Sequence, residues 1–173
     1  NSSSSVVVVA TAAASAPVVV EVVIVILPIL IVAVEVIVVV VIAIVIVVVI
    51  VIEVAIVMGS SSDWDVMSNS QKMLDQFGVK AESRVLSAHR TPKELEDFIR
   101  ECEDQRVKAF IAGAGLSAAL PGVVAALTTT PVIGVPLNAG SLDGMDALMS
   151  IVQMPPGIPV GTVAIGKPGA INA

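Results

Sequence analysis

The sequence predicts an α/β domain with a parallel sheet covered by helices on both faces. Two observations carry this. From Glu53 onward, short apolar runs alternate with amphipathic stretches of helical length, the pattern of successive βαβ units. At 173 residues, the chain is long enough for one domain with a sizeable core and a short appendage.

The elements follow in order. "EVAIVMG", Glu53–Gly59, reads as a buried strand. "DWDVMSNSQKMLDQFG" reads as a helix, with Gly78 as its C′ residue. "VKAESRVLS", Val79–Ser87, is a second strand. "TPKELEDFIRECEDQ" is a helix with Thr91 as N-cap, Pro92 at N1 and Glu94 completing a capping box. "VKAFIAG" is a third strand. "LSAALPGVVAALT", Leu116–Thr128, is a small-residue helix with a turn or kink at Pro121. "PVIGVPL" is a fourth strand, "LDGMDALMSIVQM" a helix and "GIPVGTVAIG", Gly157–Gly166, a fifth strand. In such sheets ligands bind beyond the carboxyl ends of the strands. The strand-to-helix loops are therefore where chemistry is expected.

Residues 1–52 differ in character. Up to residue 57 the chain uses nine residue types, with no glycine and no basic residue. Val36–Ile52 is an uninterrupted apolar run of 17 residues, at the lower limit of about 17–25 for a membrane-crossing helix. Against a membrane role, no Lys or Arg lies nearby to set orientation. The opening Asn-Ser-Ser-Ser-Ser also lacks the basic region of a signal peptide. The β-branched content favours strands over helix in water. Three readings stand: a membrane segment, apolar helix or strands packed on the domain, or a reduced alphabet standing in for other side chains.

Composition sets further bounds. The net charge of −6, with all nine Lys and Arg at or after Lys72, argues against a nucleic-acid partner. One cysteine, Cys102, cannot form an internal disulfide and suits a reducing compartment. One His and one Cys cannot build a His/Cys zinc site, and no loop is spaced for a carboxylate one.

Three loops remain. "GSSSD", Gly59–Asp63, offers hydroxyls and helix-start amides suited to a phosphate monoester. Asp63 could accept from ribose hydroxyls. The alternative is that Ser62 or Asp63 only caps the helix. "SAHRTP", Ser87–Pro92, holds His89, the one histidine, and Arg90. An imidazole there can exchange protons near neutral pH, and a guanidinium can bind phosphate through its planar fork. The alternative is a histidine satisfied by loop backbone and an arginine in a surface ion pair. In "AGAGLSAALPG", Gly113 and Gly115 allow either backbone contact with a flat ligand or close helix-to-sheet packing. "GVPLNAGSLDG" and "SIVQMPPGIP" read as lids or subunit contacts. Asp143 and Asp146 read as helix-start acids, Cys102 as an inert thiol on an acidic helix, and Trp64 as packing on the first loop. Phosphate donors, one titratable base, one arginine and a glycine loop suit proton transfer on a small phosphorylated molecule.

Seven stretches carry a resemblance: "MGSSSDWDVM", "VLSAHRTP", "IAGAG", "LPGVVAALT", "PVIGVP", "DALMSIVQMPPGIPVGTVAIG" and the closing "NA". In this order and spacing the chain resembles the class I 5-(carboxyamino)imidazole ribonucleotide mutases of purine biosynthesis, over Glu53–Ala173. The resemblance implies a flavodoxin-like three-layer α/β/α domain and a cytoplasmic homo-octamer with active sites at subunit junctions. It implies transfer of a carboxylate from the exocyclic amine to ring carbon 4 of the ribonucleotide, without metal or other cofactor. Ser60, Ser62 and Asp63 would bind phosphate and ribose. Ser87, Ala88 and Arg90 would complete the substrate site, with Arg90 on the phosphate. Gly113, Ala114 and Gly115 would hold the aminoimidazole and migrating carboxylate, and His89 would be the acid/base.

Two departures accompany the resemblance. Ala119 stands where many members have histidine, so His89 would carry the proton traffic alone. The helical stretch that normally follows "NA" is also missing from domain 53–173. Two alternatives remain. One is an aminoimidazole ribonucleotide carboxylase using free carbon dioxide, whose members typically carry lysine and glycine after the histidine. The other is a non-catalytic nucleotide-binding module.

Overall fold

The computed structural model describes residues 16–50 and 52–173. The opening serine stretch lies outside the described residues. The chain divides into two units after residue 50. In the first, Ala16–Ile50 forms one helix, α1, with Pro28 inside it. The β-branched content thus does not produce strands, because a helix satisfies its backbone groups within the segment and needs no partner strand. Ile26–Ile44 is long and apolar enough to cross a membrane, by length and composition. The side chains of Ile24 and of residues 26–44 are exposed.

The second unit is a five-stranded, all-parallel sheet in the order β2-β1-β3-β4-β5. Its strands are β1 (Val54–Met58), β2 (Ala81–Val85), β3 (Ala109–Ala114), β4 (Val132–Pro136) and β5 (Gly161–Thr162). Its helices are α2 (Trp64–Gln76), α3 (Pro92–Asp104), α4 (Leu120–Leu127), α5 (Met145–Val152) and α6 (Lys167–Asn172). This order is that of flavodoxin-like folds.

Alternating side chains of the central strands feed two cores. Val54, Ile56, Met58 and Ile111 pack with Met67 of α2 and Ala170 of α6. Ala55, Val57, Phe110 and Ala112 pack with residues of α3, α4 and α5. Burial on both faces explains why β1 reads as a continuous apolar run rather than an alternating one. β2, at the edge, is only partly buried and carries an Arg84–Glu82 ion pair, a charge that discourages further strand pairing.

α3 buries Leu95, Phe98, Ile99 and Cys102 at helical spacing. Burial pushes the Cys102 thiol up to about 12, where no reactive thiolate exists at neutral pH.

Three sequence expectations need correction. The fifth strand is only Gly161–Thr162; Pro155, Pro156 and Pro159 precede it, and proline cannot donate to a ladder. α4 starts at Leu120, with Pro121 in its first turn rather than at a kink. Thr91 stands at the N-cap of α3 but makes no cap hydrogen bond, so the Thr91–Glu94 capping box is absent. The closing residues form α6, seated on α2 by Ser70 Oγ donating to the Ala170 carbonyl at 2.6 Å. By contrast, Gly78 takes the left-handed φ of +71° expected just beyond α2.

Candidate active site

Order reversal places a crevice between β1 and β3, where the chain leaves β1 toward β2 on one side and returns to β3 on the other. The loops after β1, β2 and β3 meet there. They line a cleft of about 550 Å³ that includes Gly59, Ser60, Ser62, Asp63, Ser87, Ala88, His89, Arg90, Ala114 and Gly115.

The first loop is pre-shaped. Ser60 and Asp63 form a reciprocal capping box around the single turn Ser61–Asp63. Ser60 N donates to Asp63 Oδ2 at 3.0 Å, and Ser60 Oγ accepts from Ser62 N at 3.3 Å and from Ser62 Oγ at 2.8 Å. The capping reading needs correction: Ser60, not Ser62, caps the turn, and Asp63, at the N-cap of α2, makes no side-chain cap hydrogen bond to that helix. Ser60, Ser62 and Asp63 all line the cleft. Burial pushes the Asp63 carboxyl above its ordinary range; the Ser60 amide, the Arg90 charge and Ser62 partly offset this.

The second loop is cross-linked to the first. Leu86 N donates to the Met58 carbonyl at 2.8 Å, extending the β1–β2 pairing beyond Val85. Arg90 Nη2 donates to the Gly59 carbonyl at 2.5 Å. Ser87 Oγ accepts from Arg90 N at 3.2 Å and from Arg90 Nε at 3.4 Å. Arg90 is thus bound to a backbone carbonyl and a hydroxyl, not to a surface carboxylate. His89 is exposed on the same loop, and among the described residues its ring makes no hydrogen bond. It is free to meet a ligand in the cleft.

The third loop separates its two glycines. Gly113 lies within β3, and a Cβ there would clash with Met67 Sδ. Its role is close helix-to-sheet packing, and it does not line the cleft. Gly115 does line the cleft, and a Cβ there would meet the Ala139 Cβ at 2.7 Å. This contact brings the loop after β4 to the rim.

Leu116, Ser117, Ala118, Ala119, Leu120 and Ala139 also line the cleft. Leu116 has a left-handed φ of 54°, a conformation that costs a residue with a Cβ roughly 1–2 kcal/mol. Its position in the loop "AGAGLSAALPG" marked it as near the site, but its unusual backbone left no mark in the sequence. Ala119 is the N-cap of α4 and offers no titratable group. Asp146 lies in the first turn of α5 and Asp143 just before it; neither lines the cleft.

A cradle of hydroxyls and amides, a tethered guanidinium and one imidazole on the carboxyl edge of a parallel sheet fit the class of cleft that suits a small phosphorylated molecule beside an acid/base. Comparison with known proteins narrows the class. Residues 53–173 match the family model described as AIR carboxylase. The N5-carboxyaminoimidazole ribonucleotide mutase of Vibrio parahaemolyticus is 56% identical over 118 residues, covering 68% of this chain and 73% of the relative. The mutases of Bacillus subtilis and Saccharolobus solfataricus are 52% and 53% identical over similar spans. The crystal structure of Treponema denticola PurE superposes with a TM-score of 0.62 at 35% identity, covering 68% of this chain and 74% of that one. The chain belongs to the AIR carboxylase family.

Proposed function

We propose that this chain converts 5-(carboxyamino)imidazole ribonucleotide to 4-carboxy-5-aminoimidazole ribonucleotide in purine biosynthesis. The observation that carries this reading is the meeting of Ser60, Asp63, Arg90 and His89 in one cleft, in a domain more than half identical to proteins named as that mutase.

The substrate phosphate is held by the Ser60–Ser62 loop and Arg90, and Asp63 accepts from the ribose hydroxyls. His89 protonates the exocyclic nitrogen as its bond to the carboxylate carbon breaks, releasing carbon dioxide. Carbon 4 then attacks the carbon dioxide. His89 removes the proton from carbon 4, restoring the aromatic ring and leaving no net change in protons. The Ala114–Gly115 backbone lies where the migrating carboxylate passes. Holding carbon dioxide beside carbon 4 replaces a bimolecular capture by a proximity effect. His89 carries both proton transfers, because Ala119 has no proton to exchange.

The working assembly in this reading is a homo-octamer in the cytoplasm. Met145, Met149 and Val152 are exposed at helical spacing along α5, and Leu142 is exposed just before it; this apolar surface supports burial against another copy. The lone, buried, unpaired Cys102 suits a reducing compartment.

The test is a steady-state assay of the purified chain with two substrates in parallel. The mutase reading expects turnover of the carboxyamino ribonucleotide. Turnover confined to aminoimidazole ribonucleotide plus bicarbonate identifies the carboxylase instead. Phosphate-ester binding without either reaction leaves a binding module.

A further inference from the structure

We propose that Thr91 is a positioning residue that sets the Arg90 guanidinium for the substrate phosphate. The inference rests on the reading above only for the identity of the phosphate ester.

Thr91 occupies the N-cap of a 13-residue helix, where a threonine hydroxyl normally accepts from a backbone amide of the first turn. Here it does not. Thr91 Oγ1 accepts from Ser87 N at 2.9 Å and donates to the Ser87 carbonyl at 3.3 Å. The same carbonyl accepts from Thr91 N at 2.9 Å. Thr91 therefore gives up the capping bond, which is typically worth about 1 kcal/mol to a helix, and closes the loop Ser87–Thr91 on itself.

The closure has a directional consequence. With its backbone held at both polar atoms, Ser87 presents Oγ to Arg90 N and Nε. Arg90 Nη2 is fixed at its other end by the Gly59 carbonyl. Of the five N–H donors of an arginine side chain, one on Nε and one on Nη2 are engaged, so three remain for a ligand. The two anchors orient the guanidinium at the cleft before any phosphate arrives. Such pre-organisation strengthens binding by lowering the ordering cost. Neither anchor is made by Thr91; it acts through Ser87.

The experiment measures affinity for 5-aminoimidazole ribonucleotide and for its dephosphorylated riboside by titration calorimetry on the full chain. Thr91→Val removes the hydroxyl and keeps the branched shape; Thr91→Ala supplies the same comparison should the valine variant not fold. Thr91→Ser restores the hydroxyl alone. Loss of the hydroxyl is expected to weaken ribonucleotide binding about tenfold and leave riboside binding unchanged, with Thr91→Ser near wild type. Equal ribonucleotide affinity in Thr91→Val and wild type overturns the proposal. So does equal weakening of both ligands, a Thr91→Ser variant as weak as Thr91→Val, or a wild-type chain with no preference for the phosphorylated ligand. Turnover of the carboxyamino substrate by wild type is measured alongside. A wild-type chain that binds the ribonucleotide selectively but does not turn over refutes the mutase reading and leaves the role of Thr91 to be decided by the affinities.

Discussion

Arg90 Nη2 donates to the Gly59 carbonyl at 2.5 Å, tying the loop that carries His89 to the serine loop that follows β1. One side chain thus links two loops separated by α2 and β2, and it does so beside the expected phosphate position.

Arg90→Ala removes this tie together with the charge proposed to meet the phosphate. A hydrogen bond to a charged group contributes about 1.5–3 kcal/mol, so ribonucleotide affinity is predicted to fall about 10–100-fold. Arg90→Lys recovers only part of the loss, because an ammonium cannot bridge the Gly59 carbonyl and a phosphate through a planar fork. Calorimetric titration of the three proteins checks both statements.

His89→Asn is predicted to keep ribonucleotide affinity within about threefold, while kcat falls about 10²–10⁴-fold, as expected for loss of a general acid/base. Unchanged kcat in this variant removes His89 from the mechanism. A matched loss of affinity and rate assigns it to substrate binding.

Asp63 gives a prediction in pH. Its folded carboxyl titrates above its ordinary range, chiefly through burial. The folded state therefore holds the proton more tightly than the unfolded chain. The contribution of Asp63 to stability is most favourable below the unfolded value, near pH ~4. It declines as pH rises to the folded value and is constant above it. Asp63→Asn keeps an acceptor for Ser60 N but cannot titrate. Subtracting its stability-versus-pH curve from that of wild type isolates the effect, and a difference that is flat, or rises with pH, contradicts the assignment.

Gly113 is predicted to be structural. Gly113→Ala forces a methyl against Met67, which is completely buried, and is expected to cost about 1–3 kcal/mol in denaturant unfolding. Met67→Ala costs about 2–5 kcal/mol through the cavity it leaves. The double variant should lose less than the sum, because the new methyl enters the vacated space. Strict additivity shows that the two residues do not share a contact in solution.

Most of the sheet was legible because β1, β3 and β4 are buried on both faces and stand out as apolar runs between turn residues. Three details were hidden for separate reasons. Leu116–Ala119 has helix-forming composition, yet Leu116 is left-handed and this stretch forms the cleft wall. The Thr91–Glu94 spacing is that of a capping box, but the hydroxyl turns back to Ser87. Gly113 and Gly115 look equivalent in sequence, but Gly113 still belongs to the strand and meets α2, whereas Gly115 lies just beyond it on the cleft. The loop residues that line the cleft were legible from their positions at strand ends. Their mutual anchoring, above all Arg90 on Gly59, depends on β1 and β2 being neighbours in the sheet.

The central claim is that the carboxylate migrates within the cleft and is not taken from solution. The most direct measurement supplies the carboxyamino ribonucleotide with a ¹³C-labelled carboxylate in buffer containing unlabelled bicarbonate, and follows the label at carbon 4 by NMR. Retention of the label in the product is the predicted result. Product carrying unlabelled carboxylate, at a rate that follows dissolved carbon dioxide, contradicts the account.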